Sequence, residues 1–272
     1  MMRVLFTAAA EKLGWWWRTF SAWRQVVDRR SAVAAVIGRE LVSRRDDART
    51  VPVRIRRAGG TRVRVRPVGS DLATIAEIFH EEVYGGLANV VRAPASVIDL
   101  GAHVGLSSLY FLRMFPSARV LAVEPNPESF ALLETNLRPW IVAGRCRLVR
   151  GAAWSDDCLL APSSDNEPHA HAGFSVRPAP PGDSEPIQGY SMETLLGMTD
   201  APIVDVVKMD VEGAESALLS ADVDWLRTVR CLAVEFHGAS RSELKFDALM
   251  ARAGFVVVEQ GRHTVVALQS FA

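Results

Sequence analysis

The stretch VIDLGAHVGLSSLYF, Val97 to Phe111, decides the fold. A short apolar run ends on an acid, two glycines follow at Gly101 and Gly105, and a helical-looking tail begins at once. That order reads as a buried parallel strand, a tight turn and a helix N-terminus. In an open α/β sheet, ligands bind outside the carboxyl ends of the strands, so the turn marks a binding crevice. A glycine turn of this kind also cradles dinucleotide pyrophosphates. Here, however, the glycines are spaced Gly-x-x-x-Gly, and His103 stands where a dinucleotide fingerprint has its second glycine. Asp99, just before the turn, would repel a pyrophosphate and welcome an ammonium.

Downstream, strand-like and helix-like segments alternate: RVLAVEP, PESFALLETNL, RLVRGAA, DVVKMDV, AESALLS, CLAVEFH, KFDALMARAG, then FVVVEQ and HTVVALQ. Short Val/Leu/Ile strands separated by amphipathic helices predict an α/β fold, a mostly parallel sheet with helices on both faces. The last two strands are close enough to pair as an antiparallel hairpin at the sheet edge. Residues of about 155–190, rich in Pro, Gly and Ser, read as a long loop insertion beside the site.

Upstream, VPVRIRRAGGTRVRVRP alternates valines and isoleucine with arginines across Ala58-Gly59-Gly60, the pattern of a β-hairpin with one apolar and one guanidinium face. Residues 71–90 read as a helix running to Tyr84 before Gly85-Gly86. Residues 1–48 read as helical, with Trp15, Trp16, Trp17 and Trp23 concentrated in the first helix. These tryptophans need a surface: a membrane interface, a homodimer contact through the N-terminal helices, or the protein's own body.

The 272-residue chain is 49% hydrophobic and formally neutral, which fits an ordinary globular protein with a sizeable core. Its charge is unevenly spread, because residues 1–66 hold 16 of the 31 Lys+Arg but 5 of the 31 Asp+Glu. Such a basic segment suits nucleic acid, anionic lipid, an acidic partner or the acidic remainder of the chain itself. The absence of a long apolar run predicts no membrane-spanning helix, and MMRVLFTAAAEKL lacks the form of a cleaved leader. Cys146, Cys158 and Cys231 show no metal-ligand spacing and suit free thiols in a cytoplasmic setting.

Glu124, in AVEP, lies 25 residues past Asp99 at the end of the next strand, where a carboxylate can accept from both hydroxyls of a ribose. Pro125 and Asn126 continue that turn. Ala152 and Ala153, after the third strand, offer small side chains on which an adenine could lie flat.

Taken in order, VIDLGAHVGLSSLYF, VLAVEPNPESFALLETNL, LVRGAAWSD, VVKMDVEGAE and LAVEFH resemble an FkbM-family methyltransferase over about residues 60–260. The resemblance implies a class I, Rossmann-like sheet of seven strands with an antiparallel C-terminal edge strand, S-adenosylmethionine as methyl donor, and O-methylation of a sugar, glycoside or other natural product. The pattern along the chain divides it into three segments: a helical, basic, Trp-rich extension (1–50), a β-hairpin and helix leading into the core (51–92), and an S-adenosylmethionine-binding catalytic domain (93–272) with the loop insertion at about 155–190. Asp99, Gly101, Ala102, His103 and Gly105 fall on the cofactor loop, Glu124 on the ribose acid, and Asp210, Glu212 and Gly213 on the Lys-x-Asp-Val-Glu-Gly signature. The family commonly carries asparagine at His103.

Transfer from a sulfonium needs alignment, desolvation and removal of one proton. Asp210 and Glu212 close the fourth strand, Glu235 and His237 the fifth, and all four are expected near the methyl group, with His237 or Asp210 as base. Asp210 could instead hold the cofactor's amino group. A metal-free site is favoured; the alternative has Asp210, Glu235 and His237 holding a divalent ion. His169 and His171 read as incidental loop residues. A rival reading is a membrane- or nucleic-acid-associated binding module with a vestigial cofactor fold, but no aromatic-basic RNA module is recognisable and a nucleic-acid partner is not expected.

Overall fold

The computed structural model describes residues 25–41, 50–164, 166, 173–220, 223–260 and 264–270. The tryptophans of the first helix and the pair His169 and His171 lie outside these residues. The chain divides into two compact units, Met1–Glu82 and Val83–Ala272.

In the first unit, helix α1 (Arg29–Leu41) starts where the Asp28 carboxylate accepts the Ser31 N–H at 2.8 Å. Strands β1 (Val51–Ile55) and β2 (Thr61–Val65) form the expected antiparallel hairpin. Val53, Ile55, Val63 and Val65 are buried, while Arg54, Arg62 and Arg64 are exposed. Arg66 departs from that solvated ladder. It is buried in a two-pronged pair with Asp71, Nη2 to Oδ1 at 2.9 Å and Nε to Oδ2 at 3.1 Å. Helix α2 (Asp71–Phe79) is shorter than its sequence suggests, ending at His80, and Glu82 takes a left-handed backbone with φ 54°.

The second unit carries the seven-stranded sheet. Its elements are α3 (Leu87–Val90), β3 (Ser96–Leu100), α4 (Leu106–Met114), β4 (Arg119–Glu124), α5 (Pro127–Val142), β5 (Cys146–Arg150), β6 (Ala152–Ala153), β7 (Cys158–Pro162), β8 (Val176–Pro178), β9 (Ile187–Tyr190), α6 (Met192–Gly197), β10 (Val206–Met209), α7 (Glu215–Ser220), β11 (Cys231–Glu235), α8 (Ser240–Glu243), α9 (Phe246–Arg252), β12 (Phe255–Gln260) and β13 (Thr264–Gln269). The strand order is β12-β13-β11-β10-β3-β4-β5. Strands β11, β10, β3, β4 and β5 are mutually parallel, and β13 is antiparallel to both its neighbours. The C-terminal hairpin therefore lies at the sheet edge, with its second strand tucked one place inside. All five residues of β3 are buried, as a central strand covered on both faces requires.

The segment expected as a loop insertion is partly a second sheet, in the order β6-β9-β7-β8. Short runs such as CLLAP and IQGY were hidden by the Pro, Gly and Ser around them. Gly151 makes the junction possible, because a side chain there would meet the Gln188 carbonyl oxygen at 2.4 Å. The three cysteines are unpaired, and burial pushes the Cys146 and Cys231 thiols up to about 12. Among the described residues no helix is long and apolar enough to cross a membrane.

Gly101 and Gly144 both have positive φ, 73° and 68°, but only Gly101 is enclosed: a Cβ on it would stand 1.8 Å from the Asp210 carbonyl oxygen, whereas one on Gly144 meets nothing within 4 Å. Gly144→Ala should therefore cost only the left-handed strain of roughly 1–2 kcal/mol. Gly101→Ala adds a backbone clash to that strain and should cost several times as much. Denaturant melts of the two variants check the difference; equal losses would mean that the Gly101 turn yields freely.

Candidate active site

The site is organised by a buried ion pair between neighbouring strands. Lys208 of β10 and Asp99 of β3 are in register. Lys208 Nζ lies 3.0 Å from Asp99 Oδ1 and also donates to the Leu100 and Gly101 carbonyls at 3.0 and 2.7 Å. Ser107 and Ser108, in the first turn of α4, donate to Asp99 Oδ2 at 2.7 and 2.6 Å. Burial alone would pull the Lys208 ammonium down, but Asp99 and Asp210 hold it well above its ordinary range, so it stays charged. Asp99 thus does hold an ammonium, but that of Lys208. Its carboxylate is fully buried and turned into the protein, which corrects the expectation that it faces a ligand.

The glycine turn is fastened from the other side by β4. Gly101 and Ala102 both donate their N–H to the Val123 carbonyl at 3.0 Å. Glu124 reaches across the same gap: Oε2 accepts the His103 N–H at 2.7 Å, and Oε1 accepts the Asn126 N–H at 2.8 Å. Asn126 in turn caps α5 by accepting the Glu128 and Ser129 N–H groups, with Pro127 in the first turn. Half-buried Pro125 lies between the two anchors. His103 has φ 51°, a left-handed conformation in which asparagine and histidine are enriched among non-glycine residues. That backbone accounts for both the family's asparagine and this chain's histidine. Gly105, φ 88°, is pressed against Leu133 and Leu137, and the Asn136 amide holds the Val104 carbonyl at 2.8 Å.

Ala152 and Ala153 do not form an open floor. Strand β6 pairs with β9, leaving them 5% and 4% exposed, with Ala153 in the apolar core. An adenine could meet their backbone edge but not their side chains.

Beyond β10 and β11 the carboxylates converge on one imidazole. His237 Nε2 lies 3.3 Å from Glu212 Oε2 and 3.7 Å from Asp210 Oδ1, and its Nδ1 lies 2.6 Å from Glu215 Oε1. Asp210, Glu212 and His237 are half-buried, and their ligand atoms lie within 4.8 Å of one another. Glu235 is not part of this group. The other oxygen of Asp210 faces Lys208 at 3.4 Å, which joins the cluster to the buried pair. Glu212 holds a left-handed backbone, φ 48°, followed by Gly213 at φ 97°.

Burial would lower the His237 pKa, but the hydrogen bond to Glu215 and the charges of Glu212, Asp210 and Glu215 carry it up to about 9. Burial raises the Glu212 carboxyl, opposed by His237 and supported by Asp210 and Glu215. Without a bound cation, His237 is an imidazolium at neutral pH and not the neutral base expected of it. Tyr84, buried and packed 5.3 Å from Phe111, is pushed up by burial and stays a phenol.

Two residues central to this geometry had no assigned role in the sequence reading. Lys208 could have been noticed as a charge inside the apolar run VVKM opposite VIDL, while Glu215 looks like any first-turn helix acid. A cavity of about 500 Å³, lined by Ser96, Arg119 and Arg145, opens at the opposite ends of the strands and shares none of these groups.

The model of the Methyltransferase FkbM domain matches residues 99–257. The chain belongs to the FkbM methyltransferase family. It is 28% identical over 212 residues to methyltransferase sdnD of Sordaria araneosa, covering 66% of this chain and 80% of that protein. It is likewise 28% identical over 214 residues to 31-O-demethyl-FK506 methyltransferase FkbM of Streptomyces tacrolimicus, covering 68% and 81%. A solved methyltransferase FkbM from Methylobacillus flagellatus KT superposes with a TM-score of 0.50 at 17% identity, over 73% of this chain. The match spans 52% of that longer protein and bears on the fold. The seven-stranded class I sheet of this FkbM-family methyltransferase agrees with the resemblance carried by its motifs.

A folded pKa near 9 against 6.5 in the unfolded chain means that His237 stabilises the fold fully below about pH 6.5 and loses that contribution as pH rises through 9. With chelator present, the stability gap between the wild type and His237→Gln should be largest near pH 6 and shrink by pH 10. Denaturant titrations at several pH values measure it; a gap independent of pH would show that His237 is not charged in the cluster.

Proposed function

We propose that this FkbM-family methyltransferase transfers a methyl group from S-adenosylmethionine to a hydroxyl of a small molecule, such as a sugar, glycoside or other natural product. The observation that carries the reading is the placing of Glu124. It closes β4 across a glycine turn, and the next strands in the other direction, β10 and β11, end in the carboxylate–imidazole cluster. The carboxyl ends of neighbouring strands of one sheet thus carry both an acid suited to ribose hydroxyls and groups able to take up a proton. The family assignment supports a donor of this type, and the relative named as a 31-O-demethyl-FK506 methyltransferase supports oxygen as acceptor.

The donor set fits the cofactor. Each Glu124 oxygen accepts one backbone N–H, which fixes the carboxylate at the end of β4. The loop keeps its tight course because a side chain at Gly101 would strike the Asp210 carbonyl and one at Gly105 would strike Leu133. The bound donor supplies an activated methyl on a sulfonium. The protein's own work is to hold the loop rigid, exclude water and accept the hydroxyl proton. With no cation in the cluster, Glu212, made more basic by burial, suits that last step better than the charged His237. Asp210, set between Lys208 and His237, orients the cluster and offers negative charge to a cationic ligand.

Replacing Glu124 by Gln keeps one acceptor oxygen but removes the charge. Binding of S-adenosylmethionine should weaken by about 2–3 kcal/mol, roughly 30- to 150-fold. Calorimetry with the cofactor measures this, and unchanged affinity would remove Glu124 from the site. A labelled-methyl assay across hydroxylated sugars, polyketides and peptides tests the reaction; transfer to nitrogen acceptors alone would overturn the oxygen assignment.

A further inference from the structure

Among the described residues, the cluster beyond β10 and β11 gathers more acids than basic side chains. Asp99, Asp210, Glu212 and Glu215 are joined through contacts of 2.6–3.7 Å to one ammonium, Lys208, and one imidazole, His237. Two of the acids, Asp99 and Glu215, are fully buried. Such charge is costly to hold in a protein interior unless a cation offsets it.

The distances suit a metal ion. Donor atoms bound at about 2.1 Å stand roughly 3.0–3.4 Å apart when they are octahedral neighbours or tetrahedral partners. His237 Nε2 is 3.3 Å from Glu212 Oε2 and 3.7 Å from Asp210 Oδ1, and the three donor atoms all lie within 4.8 Å of one another, close enough to contract onto one ion.

The outer contacts are those a bound cation needs. Metal-bound imidazoles almost always engage a carboxylate, carbonyl or water through their other nitrogen, which fixes the ring and raises its basicity. Glu215 stands in that position, Oε1 at 2.6 Å from Nδ1, so that Nε2 is left facing the two other acids. The second Glu215 oxygen, Oε2, is buried with no hydrogen-bond partner. The Gly213 N–H also donates to Oε1, at 3.3 Å, so the partners of this buried carboxylate are gathered on the oxygen that faces His237. Lys208 supports Asp210 in a similar way, engaging Oδ2 and leaving Oδ1 toward His237.

We infer that Asp210, Glu212 and His237 bind a divalent first-row cation, with Glu215 as the positioning residue behind His237. The ligand set differs from the sequence-based alternative in using Glu212 in place of Glu235. Its use in catalysis rests on the methyl-transfer reading above. Three protein donors leave positions open for the acceptor, favouring substrates whose reacting hydroxyl lies beside a second oxygen, as in a vicinal diol or an α-hydroxy carbonyl.

The test titrates the full chain with Mn²⁺, following the free ion by electron paramagnetic resonance, while calorimetry measures S-adenosylmethionine binding to the same wild-type protein. The expected result is one Mn²⁺ per chain, with affinity at least tenfold lower in Asp210→Asn and Glu212→Gln. Glu215→Gln should weaken it about 10- to 100-fold, as loss of an outer partner does, with circular dichroism confirming that the variant is folded. An unchanged free-ion signal over wild-type protein in excess, or binding that survives both Asp210→Asn and Glu212→Gln, overturns the proposal. If Mn²⁺ fails to bind but the cofactor binds, the metal site falls and the transfer reading stands. If Mn²⁺ binds and the cofactor does not, the metal site stands and the transfer reading falls.

Discussion

The rest of the site depends on the contact between Asp99 and Lys208. Both side chains are essentially sealed from solvent, so neither charge could persist alone, and removing one partner from such a pair costs about 3–5 kcal/mol. The pair is worth having because of what else it touches. Lys208 holds two carbonyls of the glycine turn, and Asp99 holds two serines of α4. Strand, turn and helix are therefore locked by one charge on each side. The remaining reach of the ammonium goes to Asp210, so the same contact that shapes the cofactor turn also orients the first acid of the cluster.

Much of the fold was legible because its signals are local. A parallel strand covered on both faces must be apolar throughout, so VIDL and CLAVE announce themselves, and a glycine at positive φ marks the turn that follows. Glu124 was readable for a similar reason, as an acid fixed at the end of a strand one crossover away. His103 was legible as a departure, but its cause, a left-handed backbone, appears only in the folded chain.

The misreadings share a different cause: they concern residues whose partners lie far along the chain. The Ala152–Ala153 pair looks open in sequence, yet β9, some 35 residues later, closes over it. Arg66 continues an exposed ladder in pattern but meets Asp71 and is buried. Glu215 sits 22 residues before His237, and nothing in AESALL reveals that its carboxylate supports an imidazole just past the end of β11. Periodicity reports which face of an element is buried; it does not report which charges meet there.

The meeting of those charges also changes what His237 can do. An isolated histidine at a strand end suits base catalysis near neutral pH. Three surrounding carboxylates remove that ability by stabilising the imidazolium, and they shift basicity onto Glu212, the acid that burial has already made reluctant to ionise. The four side chains are close enough that a cation entering the cluster is felt by Asp210, Glu212, Glu215 and His237 together. A single substitution among the four changes the charge seen by the other three, so its effect belongs to the group and not to a residue with a private role.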